Sequence, residues 1–309
     1  MRRTTTILLA AVALSAAVLV SSACGVNEDV GDDGSVSTTL GSSETTVTLA
    51  PQETTTTVQT ETTTTTSTTV QETMTLNVYY SRDEKMSAAA RVMPKTKEVG
   101  TAAMKALIEG PTAEEKNGGM FSAIPEGTTF LGLNIENGIA TVDLSKEYAS
   151  GGGSLSMFMR LAEVVFTLTQ FPTVEGVNFK LDGEPVEVFG GEGIVLDHPV
   201  NRSDYEELFP AILVESPAFG QKVSSPLRVY GTANVFEAVF RINIVNWDGL
   251  IIADELVMAT SGTGTRGTFD VTIPFEVDRA GNGGLIVFSD SPKDGSPINV
   301  VEIPLELEK

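Results

Sequence analysis

Three side chains of this 309-residue chain stand alone in their type: Cys24 is its one thiol, His198 its one imidazole and Trp247 its one indole. A single cysteine closes no disulfide within the chain, and one Cys with one His cannot build a zinc site from several sulfur and nitrogen ligands. The expectation is no metal and no cofactor. Three other stretches invite chemistry. GTGTRG, Gly262 to Gly267, has the glycine spacing of a dinucleotide loop, but such a loop needs a strand before it and a helix after it. TFDVTIPF follows with strand alternation, so the glycines read as a loop between strands. SGGGS, residues 150–154, precedes a helical pattern whose first amides could hold an anion. With no basic residue close in sequence, it reads instead as a flexible connection. Asp278 opens DRAGNG, whose oxygens suit calcium, yet Ala280 fills the third place of an EF-hand loop and no Glu stands at the twelfth. His198, in LDHPVNRSDYEEL, reads as a solvated residue of a connecting segment, and no Gly-x-Ser-x-Gly elbow supports a serine triad. Among 41 Asp and Glu residues a glycosidase pair cannot be picked out by counting. No catalytic residue is assigned, and the chain reads as a non-enzyme.

What precedes Cys24 decides what its thiol can do. Arg2 and Arg3, an apolar run from Ile7 to Val20, and the small residues Ser21, Ser22 and Ala23 form a secretory signal peptide over 1–23. Small residues directly before Cys resemble the lipobox of bacterial lipoproteins. That resemblance implies cleavage before Cys24, acylation of its sulfur, and a lipid-attachment role for this residue on the outer side of the cell membrane. Ser21 departs from the Leu that such boxes most often carry. The alternatives are an uncleaved anchor, although the run is shorter than the ~20 apolar residues a span needs, and an ordinary signal with an idle thiol.

The chain carries 20 basic and 41 acidic residues, a formal charge of −21, which becomes more negative once Arg2 and Arg3 leave with the signal. Nucleic acid and anionic headgroups would be repelled, so no nucleic-acid partner is expected. Residues 25–73 contain 18 Thr and eight acidic residues, with no Lys, Arg or aromatic residue. So little apolar surface cannot offset the entropy of ordering. The segment 24–74 reads as a disordered stalk, a candidate for O-glycosylation, with a reach of roughly 160 Å when fully extended.

Ordered elements begin near Thr75. TLNVYYS alternates as a strand, and EVGTAAMKALIEG puts Val99, Met104, Leu107 and Ile108 on one helical face before Gly110 and Pro111. TTFLGLNIENGIATVDLS reads as a hairpin about Asn137-Gly138. A second helix near 154–170 aligns Phe158, Leu161, Val165 and Leu168, and a second hairpin turns at Asp182-Gly183. The order β-α-β-β-α-β-β predicts an α+β, or α/β, sandwich with helices over one face of a small sheet. ALIEGPT, AIPEGTTFLGLNIENGIATVDLSKEY and FTLTQFPTVEGVNFKLDGEPV resemble the GerMN domain, named for a spore germination protein. The resemblance covers 75–195, implies roles in assembly and interaction, and transfers no catalytic residue.

After a linker at 196–210, residues 211–309 hold seven short runs rich in β-branched and aromatic residues: AILVES, LRVYGTA, AVFRINIVN, LIIADELVMA, GTFDVTIPF, GLIVFSDS and NVVEIPLEL. Their count and spacing predict an all-β immunoglobulin-like sandwich. ESPAFGQKVSSPLRVYGTANVFEAVF and SDSPKDGSPINVVEIPL resemble the immunoglobulin-like domain of bacterial spore germination proteins, which commonly follows GerMN. In ANVFEAVF, Phe236 and Phe240 either both pack in the core or leave one exposed as an anchor for a partner. The functional expectation is a lipid-anchored envelope protein that binds envelope proteins or peptidoglycan as an assembly or sensing accessory. The alternative is a wall-active hydrolase with a carboxylate pair. Interface residues and oligomeric state are not written in the sequence.

Overall fold

The structure is a computed structural model that describes residues 71–309 apart from Glu192. The signal segment, Cys24 and the stalk up to residue 70 lie outside the described residues.

β1 (Thr73–Arg82) and β2 (Lys85–Pro94) pair antiparallel along their whole length, from Thr73 with Pro94 to Arg82 with Lys85. They turn through Asp83 and Glu84, whose φ angles of 51° and 58° fit a tight two-residue hairpin. β2 is an element that its composition conceals, because KMSAAARVMP is rich in alanine, a residue depleted in strands. The pair forms a sheet of its own.

α1 (Val99–Glu109) buries Ala103, Met104 and Leu107 and stops at Gly110, whose φ of 83° ends the helix. The short α2 (Ala113–Asn117) starts from a reciprocal cap between Thr112 and Glu115. β3 (Phe130–Glu136) and β4 (Ile139–Leu144) meet at Asn137-Gly138, and α3 (Ser154–Leu168) carries the chain back so that β5 (Gly176–Leu181) runs parallel to β4. β6 (Glu184–Pro185) folds onto β5 across Asp182-Gly183, completing the sheet order β3-β4-β5-β6. β7 (Val188–Phe189) and β8 (Ile194–Val195) form a small arm beside it.

α3 departs from its expected pattern. One buried side was predicted, yet every residue from Met159 to Leu168 is buried, while Phe158 is 39% exposed. The cause is a third layer: the β1–β2 hairpin covers the side of α3 turned away from β5, so the helix lies between two sheets.

The second domain forms all seven expected strands: β9 (Ile212–Ser216), then, after the extra two-residue β10 (Lys222–Val223), β11 (Leu227–Ala233), β12 (Val239–Val245), β13 (Ile251–Met258), β14 (Gly267–Ile273), β15 (Gly281–Asp290) and β16 (Pro297–Leu307). Two sheets, β10-β16-β15-β12-β13 and β14-β11-β9, enclose Phe240, Ile242, Ile244, Phe269, Leu285 and Val287. Phe240 is therefore a core residue, and Phe236 is the exposed member of that pair.

The connecting segment is packed. Val200, Tyr205, Leu208 and Phe209 join the first core. β9 then serves both cores, because successive side chains of a strand point to opposite sides: Ile212 and Val214 enter the second core and Leu213 the first. No helix among the described residues is long and apolar enough to cross a membrane.

Candidate functional site

The junction between the domains is held by a polar cluster on β1, β9 and the connection. Arg202 Nη1 contacts Glu215 Oε1 at 2.6 Å, and its Nη2 donates to the Tyr79 hydroxyl at 3.1 Å and to the Phe166 carbonyl at 3.0 Å. The Tyr79 hydroxyl donates to Glu215 Oε1 at 2.6 Å, and Asn77 Nδ2 donates to the Glu215 carbonyl at 2.8 Å. Burial pushes the Tyr79 phenol well above its usual range, so it remains a donor to the carboxylate. At a second fastening point, Arg266 stacks on Phe209, donates to Glu206 at 3.0 Å and to the Pro210 carbonyl at 3.1 Å.

Beside this junction runs a groove of about 500 Å³, lined by Met86 and Ala88 of β2, Ile212 and Val214 of β9, Phe219, and Val300 of β16. β2 has one bridge beyond β1, Ala89 with Phe219, and β16 pairs with β10 only at Glu306 and Leu307. Both strands thus keep unpaired edges along the groove. Arg82 Nη1 donates to the Glu302 carbonyl across it at 2.7 Å. Free strand edges beside apolar side chains are the surface on which an extended polypeptide can be held by main-chain hydrogen bonds.

A second concavity, about 680 Å³, lies where β5 meets the β7–β8 arm; Thr141, Asn178 and Lys180 face it with Val188, Val195 and His198. His198 is thus placed in a wall of this trough. Its Nδ1 lies 2.7 Å from Asp197 and its Nε2 3.3 Å from Asp204, and hydrogen bonding to these two carboxylates raises its pKa. Nothing at His198 forms a nucleophile-base pair.

One carboxyl is strongly perturbed. Glu163 of α3 is fully buried and accepts from Ser81 Oγ at 3.1 Å, Ser122 Oγ at 2.8 Å and the Ala123 amide at 2.8 Å. Burial pushes its pKa up to about 7, against the lowering effect of those hydrogen bonds. Its geometry is that of a staple joining β1, the segment before β3 and α3.

The glycine run 150–153 is also fastened, which corrects the flexible reading. Arg160, one turn or more along α3, donates to the carbonyls of Tyr148 at 2.7 Å, Ser150 at 2.9 Å and Gly151 at 3.1 Å. The basic residue missing from the local sequence arrives through the helix. GTGTRG lies between β13 and β14, as the alternation after it indicates, and Arg279 of DRAGNG stacks over Trp247 at 3.7 Å. Among the described residues no group of three or more His, Cys, Asp or Glu stands close enough to hold a metal.

Comparison with known proteins adds two family matches. The Germane model, described as Sporulation and spore germination, matches residues 42–187. The Gmad2 model, described as Immunoglobulin-like domain of bacterial spore germination, matches residues 211–296. The chain carries a GerMN domain followed by a Gmad2 domain. Similar solved structures include a lipoprotein candidate from Clostridium perfringens, 24% identical, with a TM-score of 0.32, covering 43% of this chain and 89% of that one. The first GerMN domain of the sporulation protein GerM from Bacillus subtilis is 23% identical, with a TM-score of 0.35, covering 42% and 99%. The tandem GerMN domains of the same protein are 15% identical, with a TM-score of 0.37, covering 65% and 61%. Curated proteins give no match. In this frame the Tyr79–Arg202–Glu215 cluster is the fastening between GerMN and Gmad2 domains.

Proposed function

We propose that the chain is a non-catalytic envelope protein, tethered to the extracytoplasmic face of the cell membrane through a lipid on Cys24. Its two-domain head binds envelope proteins or wall polymer as an accessory of assembly or sensing. The observation that supports this most directly is the groove at the domain junction, where the free edges of β2 and β16 run beside the half-buried Phe219 and the exposed Val300. Its walls come from both domains, and the Arg202–Glu215 contact holds those domains in place without occupying the groove. A binding surface of this kind needs a rigid scaffold more than it needs reactive groups.

The test places a photo-crosslinking side chain at Ser87, on the groove wall, in cells that carry the full chain. Capture of a defined envelope component, lost when the crosslinker is moved to Arg228 of β11, which does not line the groove, is the expected result. In parallel, purified chain is incubated with peptidoglycan, and release of soluble fragments would replace the binding reading with the hydrolase.

A further inference from the structure

The open face of the four-stranded sheet carries three polar side chains in one row. Asn134 of β3 pairs in register with Thr141 of β4, and Thr141 with Asn178 of β5. Their inward neighbours, Leu133, Val142 and Val177, pack against the first core, so the row points the other way. A solvated strand face accounts for polar residues there, but it does not account for the shape around them. The arm of β7 and β8 rises beside β5 and makes Thr141 and Asn178 the floor of the 680 Å³ trough, with Val188 and Val195 on its wall at 58% and 60% exposure, while Asn134 continues the row outside it. Valines left so open beside free hydrogen-bonding groups form a mixed polar and apolar lining.

The two ends of this face are closed by the fold itself. At one end Asp143 accepts the Gly183 amide at 3.0 Å, and at the other Gly176 lies under Pro199. Between them, Asn134, Thr141, Asn178 and the nearby Lys180 make no hydrogen bond or ion pair with other described side chains or backbone. Thr141 and Asn178 are uncharged, and in the trough's lining the acidic Glu187 and Asp197 are offset by the basic Lys180 and the His198 ring, so the site carries little of the chain's net charge of −21. Amides and a hydroxyl offer both donors and acceptors, and strands spaced about 4.8 Å apart set them at intervals commensurate with the rings of an extended sugar chain. The valine wall suits the C–H faces of such rings. A polyanion would meet the acidic surface of the chain and be repelled.

We propose that this trough binds a neutral, acetamido-bearing glycan strand, with Thr141 and Asn178 as its hydrogen-bonding floor and Asn134 extending the row beyond its edge. The inference rests on the envelope-binding reading and assigns wall polymer to this face, leaving the junction groove to protein partners.

The probe is a hexamer of N-acetylglucosamine, titrated calorimetrically into the full-length chain held in detergent, with polyglutamate as the charged control. Binding of the hexamer without binding of polyglutamate is expected. Thr141→Val combined with Asn178→Ala should weaken it by at least about tenfold, the loss expected from one or two hydrogen bonds, with the thermal midpoint unchanged. Arg228→Ala on β11, an exposed position away from the trough, should leave the affinity as it was. Failure of the hexamer to bind at millimolar concentration, or an unchanged affinity in the double variant, would overturn the glycan proposal. If crosslinking at Ser87 still captures a partner in that case, the envelope-binding reading stands and only the assignment of this trough falls.

Discussion

Arg202 and Glu215 meet at 2.6 Å across the boundary between the connecting segment and β9, each with only about a fifth of its side chain exposed, at 20% and 18%. The Tyr79 hydroxyl on the same carboxylate oxygen brings β1 into the contact. Three stretches far apart in sequence therefore converge on one charge pair.

Removing one partner strands the other in a poorly solvated place, so Glu215→Ala should lower stability by about 3 kcal/mol. Urea denaturation measures this directly. Replacing both charges, as Arg202→Met with Glu215→Leu, should cost less than either single truncation, because no unpaired charge remains. A double variant as unstable as the sum of the singles would show that the two side chains contribute independently, with no coupling across the pair.

The buried Glu163 makes stability fall as pH rises. Its folded pKa of about 7 lies above the ordinary 4.5, so folding favours the protonated acid. Below pH 4.5 the carboxyl is protonated in both states and no ionisation penalty exists; between 4.5 and 7 the penalty grows to about 3 kcal/mol and stays beyond that. Glu163→Gln should flatten this segment of the pH profile in urea melts recorded from pH 4.5 to 7.5. A profile identical to that of the parent chain would mean that Glu163 is ionised in the fold at little cost.

His198 shifts stability in the same direction as Glu163, because its pKa is also raised in the fold. Hydrogen bonds that its ring N–H groups donate to Asp197 and Asp204 raise its pKa, so the contact helps folding fully below the ordinary histidine value and the help is lost as pH rises through the folded value. As the one histidine, its ring protons can be followed alone by NMR. Asp204→Asn should move the midpoint downward.

Gly231 sits where β11 shifts register against β9, and a side chain there would run into the Leu213 carbonyl. Gly231→Ala should destabilise the chain by about 1–3 kcal/mol through overpacking, read as a lower midpoint in thermal melts. A midpoint equal to the parent's would mean that β9 can slide away from β11.

Cys24→Ala should abolish incorporation of labelled fatty acid and release the chain from membranes into the medium or wall fraction. Retention of the variant in the membrane would transfer the anchoring role to the apolar run before it.

The turns and the strand count were readable because they depend on local chemistry. Asn137-Gly138 and Asp182-Gly183 mark their hairpins through positive φ angles of 50°, 82°, 49° and 85°. β2 stayed hidden because alanine carries little strand preference, although the two-residue turn at Asp83 and Glu84 between alternating segments was a faint signal. The burial of α3 on all sides could not be read from a single face, since the covering hairpin lies some eighty residues upstream. The Arg202–Glu215–Tyr79 cluster and the Glu163 staple are long-range contacts between residue types that ordinarily sit in water. No local pattern distinguishes them from surface charges. For the trough, strand alternation places Asn134, Thr141 and Asn178 outward, while the arm that walls them in emerges only from the tertiary arrangement.

The divided allegiance of β9 limits how such a chain can be recombined. A crossover just after Pro210 would replace both Leu213 and Ala218 with foreign side chains and leave a notch in the upstream core to which Phe209 belongs. A graft that keeps the upstream module intact would have to carry Ile212 through Ala218 with it, so the unit of inheritance at this boundary is larger than the unit that sequence similarity marks out.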